Sequence, residues 1–135
     1  MNSTIDALRS TFPAMGNTTS VVVVGGTNDH LDMARRRIDE LESMWSRFIP
    51  SSDISRLNRA AGRTMEVAPE TISLLQYMVD AHRATSGLFD PTRLPQLVDA
   101  GYTRSLVSDR LTILPTGVAW SHGFKEISID AGSRC

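Results

Sequence analysis

Hydrophobic and polar positions along the chain predict strands towards both ends and helices between them. Residues 19–24 are mostly β-branched and precede a Gly-Gly pair, a pattern typical of a buried strand that ends in a turn. A long helix is predicted next, with Asn28 or Asp29 as its N-cap and its end near Pro50. Its apolar stripe recurs at three- and four-residue steps: Leu31, Ala34, Ile38, Leu41, Trp45 and Phe48.

Shorter elements follow the long helix. Ser52 or Asp53 predicts the N-cap of a second helix that runs to Ala60, and residues 64–67 alternate weakly, as in a short strand. Pro69 suits the first position of a third helix that ends at Gly87. The predicted apolar face of this helix comprises Ile72, Leu75, Met78 or Val79, and His82.

The last third of the chain predicts one more helix and then strands. Asp90 as N-cap and Pro91 at the first helical position predict a fourth helix that ends at Gly101. Residues 111–114, 117–120 and 126–129 are predicted as short strands separated by turns. Strands at both ends with helices clustered between them indicate an α+β fold.

Composition narrows the class of protein without identifying it. The 135 residues suit one domain, and 41% hydrophobic residues exclude a disordered chain. A net charge of -1 argues against a partner such as nucleic acid, and the basic run at residues 35–37 is followed by acids at helical spacing, as on a solvated helix face. A single cysteine, Cys135, excludes an internal disulfide. With no signal peptide, lipobox or membrane segment in the sequence, we expect a cytoplasmic protein.

Candidate chemistry is sparse when it is judged from residue types alone. The three histidines lie far apart and lack the spacing of metal ligands. The loop at Met15-Gly16-Asn17 is explained by a plain turn, and Asp90-Pro91-Thr92 is explained by helix capping. Pattern and composition therefore predict a soluble α+β domain and no particular activity.

Three segments in a fixed order add a resemblance. They are residues 12–18 (Phe-Pro-Ala-Met-Gly-Asn-Thr), 45–58 (Trp-Ser-Arg-Phe-Ile-Pro-Ser-Ser-Asp-Ile-Ser-Arg-Leu-Asn) and 85–92 (Thr-Ser-Gly-Leu-Phe-Asp-Pro-Thr). Together they resemble the N-terminal portion of the ApbE family, the FAD:protein FMN transferases. Asn17 stands where the family usually has Thr, Phe48 replaces Tyr, and Asp53 replaces Glu. The resemblance covers residues 12–101 and continues more loosely to residue 132.

The resemblance implies a fold and a reaction. The implied fold is an ApbE-like (T-fold-like) α+β domain with helices packed on a mostly antiparallel sheet, in which residues 1–11 form a tail and residues 12–135 form part of the domain. The implied reaction uses Mg²⁺ and moves FMN from FAD to a threonine hydroxyl of an acceptor flavoprotein. The implied FAD site comprises Met15, which would touch the flavin, Phe48 near the dinucleotide, and Leu88, Phe89 and Asp90.

The resemblance also implies that part of the family's site is missing. Family members are longer, and their magnesium ligands lie about and beyond the segment that resembles residues 127–132. We therefore assign no metal ligand and no catalytic residue, and we expect a truncated domain with weak or absent transfer activity. The alternative is a non-catalytic module that binds FAD or another protein.

Overall fold

The computed structural model describes residues 6–60, 62–105, 110–111 and 127–130. Their order is strand, strand and then four helices, which confirms the predicted α+β class. The elements are β1 (Ala7–Ala14), β2 (Asn17–Val24), α1 (Asn28–Trp45), α2 (Asp53–Ala60), α3 (Pro69–Ala84) and α4 (Leu94–Asp99). Helix α1 packs on both strands, on α2 and on α3. In the part that the structure describes, Phe12, Ala14, Leu31 and Val79 are the buried hydrophobic residues.

Strands β1 and β2 form an antiparallel hairpin whose register runs from Ala7 opposite Val24 to Ala14 opposite Asn17. The sequence pattern did not predict β1, and residues 7–11, which we assigned to a tail, are part of this strand. The prediction of a strand at residues 19–24 is confirmed, but the prediction that it is buried is wrong, because none of β2 is buried and Val24 is 63% exposed. In the described sheet, β2 pairs only with β1.

Helix α1 begins at Asn28, whereas an N-cap at Asn28 or Asp29 predicted a start at residue 29 or 30. Its N-cap is Thr27, whose backbone N–H donates to His30 Nδ1 at 3.1 Å. The helix ends at Trp45 rather than near Pro50, and the N–H of its C-cap Ser46 donates to the Glu42 carbonyl at 2.9 Å. The predicted apolar stripe is confirmed from Leu31, which is buried, to Trp45, and the members between them are half-buried, but its last predicted member, Phe48, lies beyond the end of the helix. The basic run at residues 35–37 is exposed, as predicted.

A buried carboxylate joins α2 to the start of α3. The predicted cap Ser52 is confirmed, because its Oγ accepts the N–H of Ser55 at 3.1 Å. Asp53 Oδ2 accepts the Ala68 N–H at 2.8 Å and the Thr71 hydroxyl at 2.7 Å. The intervening residues 64–67 form no strand, which overturns that prediction. Pro69 begins α3, as predicted.

Helix α3 ends at Ala84, in a turn set by two backbone hydrogen bonds. The N–H of Gly87 donates to the His82 carbonyl at 2.9 Å, and the N–H of Ser86 donates to the Arg83 carbonyl at 3.1 Å. This pair is the Schellman arrangement, in which Ser86 takes positive φ, and the next residue, Gly87, also has positive φ. The turn reverses the chain and leads into residues 88–92.

Helix α4 begins at Leu94 with Arg93 as its N-cap. The prediction of Asp90 as N-cap and Pro91 as first helical residue is therefore wrong. The predicted end at Gly101 is confirmed, because Gly101 has a φ of +94° and its N–H donates to the Val98 carbonyl at 2.9 Å. The next N–H, from Tyr102, donates to the Leu97 carbonyl at 2.9 Å and completes a second Schellman turn.

The predicted C-terminal strands lie partly outside the described residues. Arg104 and Leu111 form an isolated antiparallel bridge. Residues 112–114, 117–120 and 126 lie outside the described residues, and residues 127–129 are not in a strand, contrary to the prediction. Across the described ranges, the structure contains no helix with the length and apolar character needed to cross a membrane.

Candidate functional site

A cavity of about 340 Å³ lies where the hairpin tip, the C-terminal end of α1 and the segment after α4 meet. Two of the five predicted site residues, Met15 and Phe48, line it. They are distant in sequence, so the fold brings them together. The remaining described lining residues are Gly16, Glu42, Trp45, Ser46, Arg47, Tyr102, Ser105 and Arg110.

Met15 reaches the cavity from the tight turn of the hairpin. Met15 and Gly16 are the two residues between paired Ala14 and Asn17, and their φ values are +53° and +72°. Positive φ at both positions is the type I′ turn, whose twist matches that of a hairpin. Glycine tolerates this region, whereas a methionine there is strained by about 1 kcal/mol. The turn expected from the sequence is confirmed, and it leaves the Met15 side chain 46% exposed.

Phe48 belongs to a cluster of two rings and one guanidinium. The Arg47 guanidinium lies 4.5 Å from the centre of the Phe48 ring and 4.2 Å from the centre of the Tyr102 ring. The two rings meet edge to face, with centroids 6.1 Å apart. Arg47 Nη2 also donates to the Tyr102 carbonyl at 2.9 Å. These contacts fix the orientation of Arg47 and connect the end of α1 to the segment after α4.

Two nitrogen donors in the cavity lining are buried without an acceptor. Trp45 Nε1 and Arg47 Nη1 have no hydrogen-bond partner in the part of the chain that the structure describes. An unsatisfied buried donor costs about 1–3 kcal/mol, and more when it is charged. The charged residues of the described lining are Glu42, Arg47 and Arg110, so their formal charges sum to +1. The cavity lining therefore offers aromatic rings and a positive balance of formal charge, whereas the two unpaired nitrogens themselves are buried.

A serine cluster holds the loop that presents Phe48. The Ser46 carbonyl accepts the Ser52 hydroxyl at 2.7 Å and the Ser55 hydroxyl at 3.4 Å. Ser52 and Ser55 are both buried. Much of the second resemblance segment is thus explained by packing, because its serines fix the loop between α1 and α2, and Asp53 joins α2 to the start of α3.

Leu88, Phe89 and Asp90 do not line this cavity. They follow the turn at the end of α3, where Leu88 is 93% exposed. His82 Nδ1 donates to the Phe89 carbonyl at 2.7 Å, and the Phe89 N–H donates to the Thr85 hydroxyl at 3.0 Å. The structure therefore divides the predicted FAD site into two places.

Asp90 organises its own turn rather than capping a helix. Its Oδ1 accepts the Thr92 hydroxyl at 2.6 Å and the Thr92 N–H at 3.0 Å, and its Oδ2 accepts Arg93 Nε at 2.8 Å. The hydroxyl and N–H of Thr92, helped by the charge of Arg93, lower the pKa of Asp90 below its ordinary value of 3.8, against an opposing effect of burial. The carboxylate thus stays ionised at neutral pH, with only 10% of its side chain exposed.

Sequence reasoning missed several lining residues for different reasons. Trp45 and Arg47 lie inside the second resemblance segment, where an aromatic and a guanidinium beside the predicted Phe48 were a usable signal. Tyr102 carried no such signal, because only the turn after α4 brings it to Phe48.

Metal ligands do not assemble among the described residues. No three side chains of His, Cys, Asp or Glu come together there in a way that could hold a metal ion. We therefore assign no Mg²⁺ ligand and no chemical step through the metal to the described residues.

Comparison with models of protein families identifies the family of this chain. The model of the ApbE family matches residues 15–116, which is more than half of the chain and includes the described cavity residues. No curated protein matches the chain. No solved structure matches it either.

Proposed function

We propose, on the premise that the chain belongs to the ApbE family, that it binds FAD and acts as an FAD:protein FMN transferase. The acceptor in this proposal is a threonine hydroxyl of a flavoprotein. Family membership supports a role in protein flavinylation. The transfer of FMN from FAD and its threonine acceptor are what we propose.

The observation that carries the proposal is the meeting of Met15 and Phe48 in one cavity. These are the residues that the family resemblance assigns to the flavin and the dinucleotide. The cavity volume of about 340 Å³ is at the lower end of ligand pockets, and suits one part of a dinucleotide rather than its whole length. Its aromatic rings complement the flat apolar part of a ligand, and its positive balance of formal charge complements an anionic part.

The proposed reaction is a transfer of the FMN phosphoryl group from FAD to the threonine oxygen. The threonine oxygen forms a bond to the phosphorus of the FMN half, and the bond from that phosphorus to the bridging oxygen of the pyrophosphate breaks. AMP leaves with the bridging oxygen, and the hydroxyl proton is released. Transfer of this kind depends on positioning and on neutralising the phosphate charge. Mg²⁺ supplies such neutralisation in the family, and the described residues contribute binding and orientation of the nucleotide.

Two measurements test the proposal. Titration of FAD with the protein should quench flavin fluorescence, and Phe48→Ala should weaken the binding. Tyr77→Ala is the matched control, because Tyr77 is 72% exposed on α3 and does not line the cavity. Incubation with FAD, Mg²⁺ and an acceptor flavoprotein tests the transfer: the mass of FMN on the acceptor together with released AMP would support the proposed reaction and contradict the weak or absent activity expected from the sequence.

The outcomes separate the alternatives. An acceptor with its target threonine replaced by valine should gain no mass, which confirms the site of transfer. Saturable FAD binding without transfer would favour a non-catalytic FAD-binding module instead. Absence of FAD binding at high protein concentration would overturn the proposal altogether.

A further inference from the structure

An open groove of about 410 Å³ lies at the C-terminal end of α2, apart from the residues of the predicted FAD site. Its described lining consists of Arg56, Arg59, Ala60, Arg63, Thr64 and Met65. The three arginines are the charged residues of this lining, so its formal charges sum to +3, although the whole chain has a net charge of -1. Positive charge is therefore concentrated at this groove.

Little of this charge is neutralised by neighbouring carboxylates. Arg56 Nη1 lies 3.0 Å from Oδ1 of the buried Asp53, whereas Arg59 and Arg63 form no ion pair within the part of the chain that the structure describes. Both donate instead to main-chain carbonyls, which accept a hydrogen bond without cancelling the charge. Glu66, which follows the groove in sequence, contacts Arg56 Nη2 through its main-chain carbonyl at 3.3 Å and is not in the lining.

The guanidinium groups can be reached from solvent. The side chain of Arg56 is 43% exposed, and Arg63 is exposed as well. Arg59 is half-buried, but the buried side-chain nitrogens without a partner among the described residues belong to Trp45 and Arg47, so the remaining nitrogens of Arg59 are open to solvent. Each guanidinium carries five N–H donors, of which the contacts within the protein use one or two.

The arginines form a row along the groove. Arg56 and Arg59 are three residues apart on α2, so they share a face of the helix with Cβ atoms about 5–6 Å apart. Arg63 follows four residues later, in a turn where its N–H donates to the Ala60 carbonyl at 3.1 Å. A row of separate guanidinium groups suits several carboxylates on one chain better than one small anion, since alternate side chains of an extended segment are about 7 Å apart.

The rest of the lining favours a polypeptide over a nucleic acid. Proteins that bind single-stranded nucleic acid combine a basic groove with aromatic side chains on which the bases stack. The described lining contains Ala60, Thr64 and Met65 beside the arginines and has no aromatic ring. Duplex binding depends on a larger excess of positive charge than a chain of net charge -1 provides.

We propose that the groove lined by Arg56, Arg59 and Arg63 is a docking surface for an acidic segment of a protein partner. Arg59 Nη2 also donates to the Pro50 carbonyl, in the loop that presents Phe48 to the other cavity. A partner bound to the arginines therefore lies next to the loop of the candidate flavin site. That this partner is the acceptor flavoprotein rests on the proposed function, whereas the docking surface itself does not.

Fluorescence anisotropy with a labelled peptide of alternating glutamate and serine tests the docking surface. At about 0.1 M salt we expect this peptide to bind, and a peptide with glutamine in place of glutamate not to bind; about 1 M salt should abolish binding by screening exposed charges. The double variant Arg59→Gln with Arg63→Gln keeps side chains that can donate to the same carbonyls. It should weaken binding of the glutamate peptide by about 3- to 10-fold, the effect of two exposed ion pairs.

A second double variant is the matched control. Arg35→Gln with Arg36→Gln changes the net charge by the same amount, and both residues are exposed on α1 and absent from the groove. Peptide affinity should stay within about twofold, because charges more than about 10 Å away are screened at this salt concentration. Should the groove variant fail to fold by circular dichroism, Arg63→Gln decides alone, because Arg63 is exposed and its side chain bonds only to the nearby Ala60 carbonyl among the described residues.

Each result supports or overturns the docking surface. Equal weakening by the two double variants would assign the binding to overall charge and overturn it. Binding of an oligothymidylate without binding of the glutamate peptide would identify a nucleic-acid site instead, and no peptide binding up to about 1 mM protein would also reject the proposal. Peptide binding that depends on the arginines, in a protein that binds no FAD, would support the docking surface and reject the proposed function. FAD binding without peptide binding would do the reverse.

Discussion

At the scale of single residues, Met15 combines strain with exposure. Its φ of +53° is unfavourable for a methionine, and its side chain lines the cavity from the hairpin tip. Asparagine is tolerated much better at this position of a type I′ turn. We therefore expect Met15→Asn to raise the free energy of unfolding by about 0.5–1 kcal/mol and to weaken FAD binding, because the apolar contact is lost.

The control for Met15 is another exposed methionine. Met33 is 58% exposed in the middle of α1, where asparagine has a lower helix propensity. Met33→Asn should lower stability by about 0.5 kcal/mol and leave FAD binding unchanged. Urea unfolding and FAD titration measure both effects. Destabilisation by Met15→Asn would contradict the strain argument.

Asp90 gives a residue-scale prediction about pH. Because the folded state lowers its pKa below 3.8, the ionised carboxylate contributes stability above that pH, and the contribution is lost as the pH falls through the folded pKa. At pH 7, Asp90→Asn should destabilise the protein by about 1 kcal/mol through loss of the charged contacts with Thr92 and Arg93. Urea unfolding at pH 7, 5 and 3 should show this difference shrinking below pH 3.8. A difference that is constant with pH would contradict the assignment.

At the scale of elements, the packing of α2 against the start of α3 depends on Asp53. The carboxylate is 8% exposed and binds Arg56, Ala68 and Thr71. Asp53→Ala would leave the Ala68 N–H and the fully buried Thr71 hydroxyl without this acceptor. We expect a loss of about 2–3 kcal/mol in the free energy of unfolding, measured by urea denaturation.

An exposed aspartate is the control for Asp53. Asp39 lies 4.0 Å from Arg35 on the surface of α1, with more than half of its side chain exposed. Asp39→Ala should change stability by less than about 0.5 kcal/mol, because exposed ion pairs contribute little. Similar losses for the two variants would show that Asp53 does not join the helices.

At the scale of the whole molecule, Tyr102 connects the end of α4 to the end of α1. Its ring contacts Phe48 and Arg47, and its carbonyl accepts Arg47 Nη2. Tyr102→Ala should reduce stability by about 1–2 kcal/mol and weaken FAD binding, because Arg47 and Phe48 lose one wall of their cluster. Tyr102→Phe keeps the ring and the carbonyl and should preserve both. Thermal unfolding and FAD titration test the pair, and an equal effect of the two variants would contradict the importance of the ring.

Features that depend on neighbouring residues could be predicted from the sequence. The cap at Ser52, the start of α3 at Pro69 and the end of α4 at Gly101 depend on residues within about one helical turn, so their signals are readable along the chain. The apolar stripe of α1 is readable for the same reason, since its period belongs to the helix itself. The three family segments likewise lie in short continuous stretches, and the family match confirms the family that they indicated.

Arrangements that depend on residues far apart in the chain could not be predicted from the sequence. Strand β1 exists because it pairs with β2, and β2 is exposed because the described sheet gives it no second neighbour. Asp90 was compatible with capping by its neighbours, but the backbone places it in a separate turn before α4. The cavity needs Met15, Phe48 and Tyr102 to meet from three separate segments. Propensity acts over a few residues, whereas burial and cavity lining depend on how whole elements pack, so no local pattern contains them.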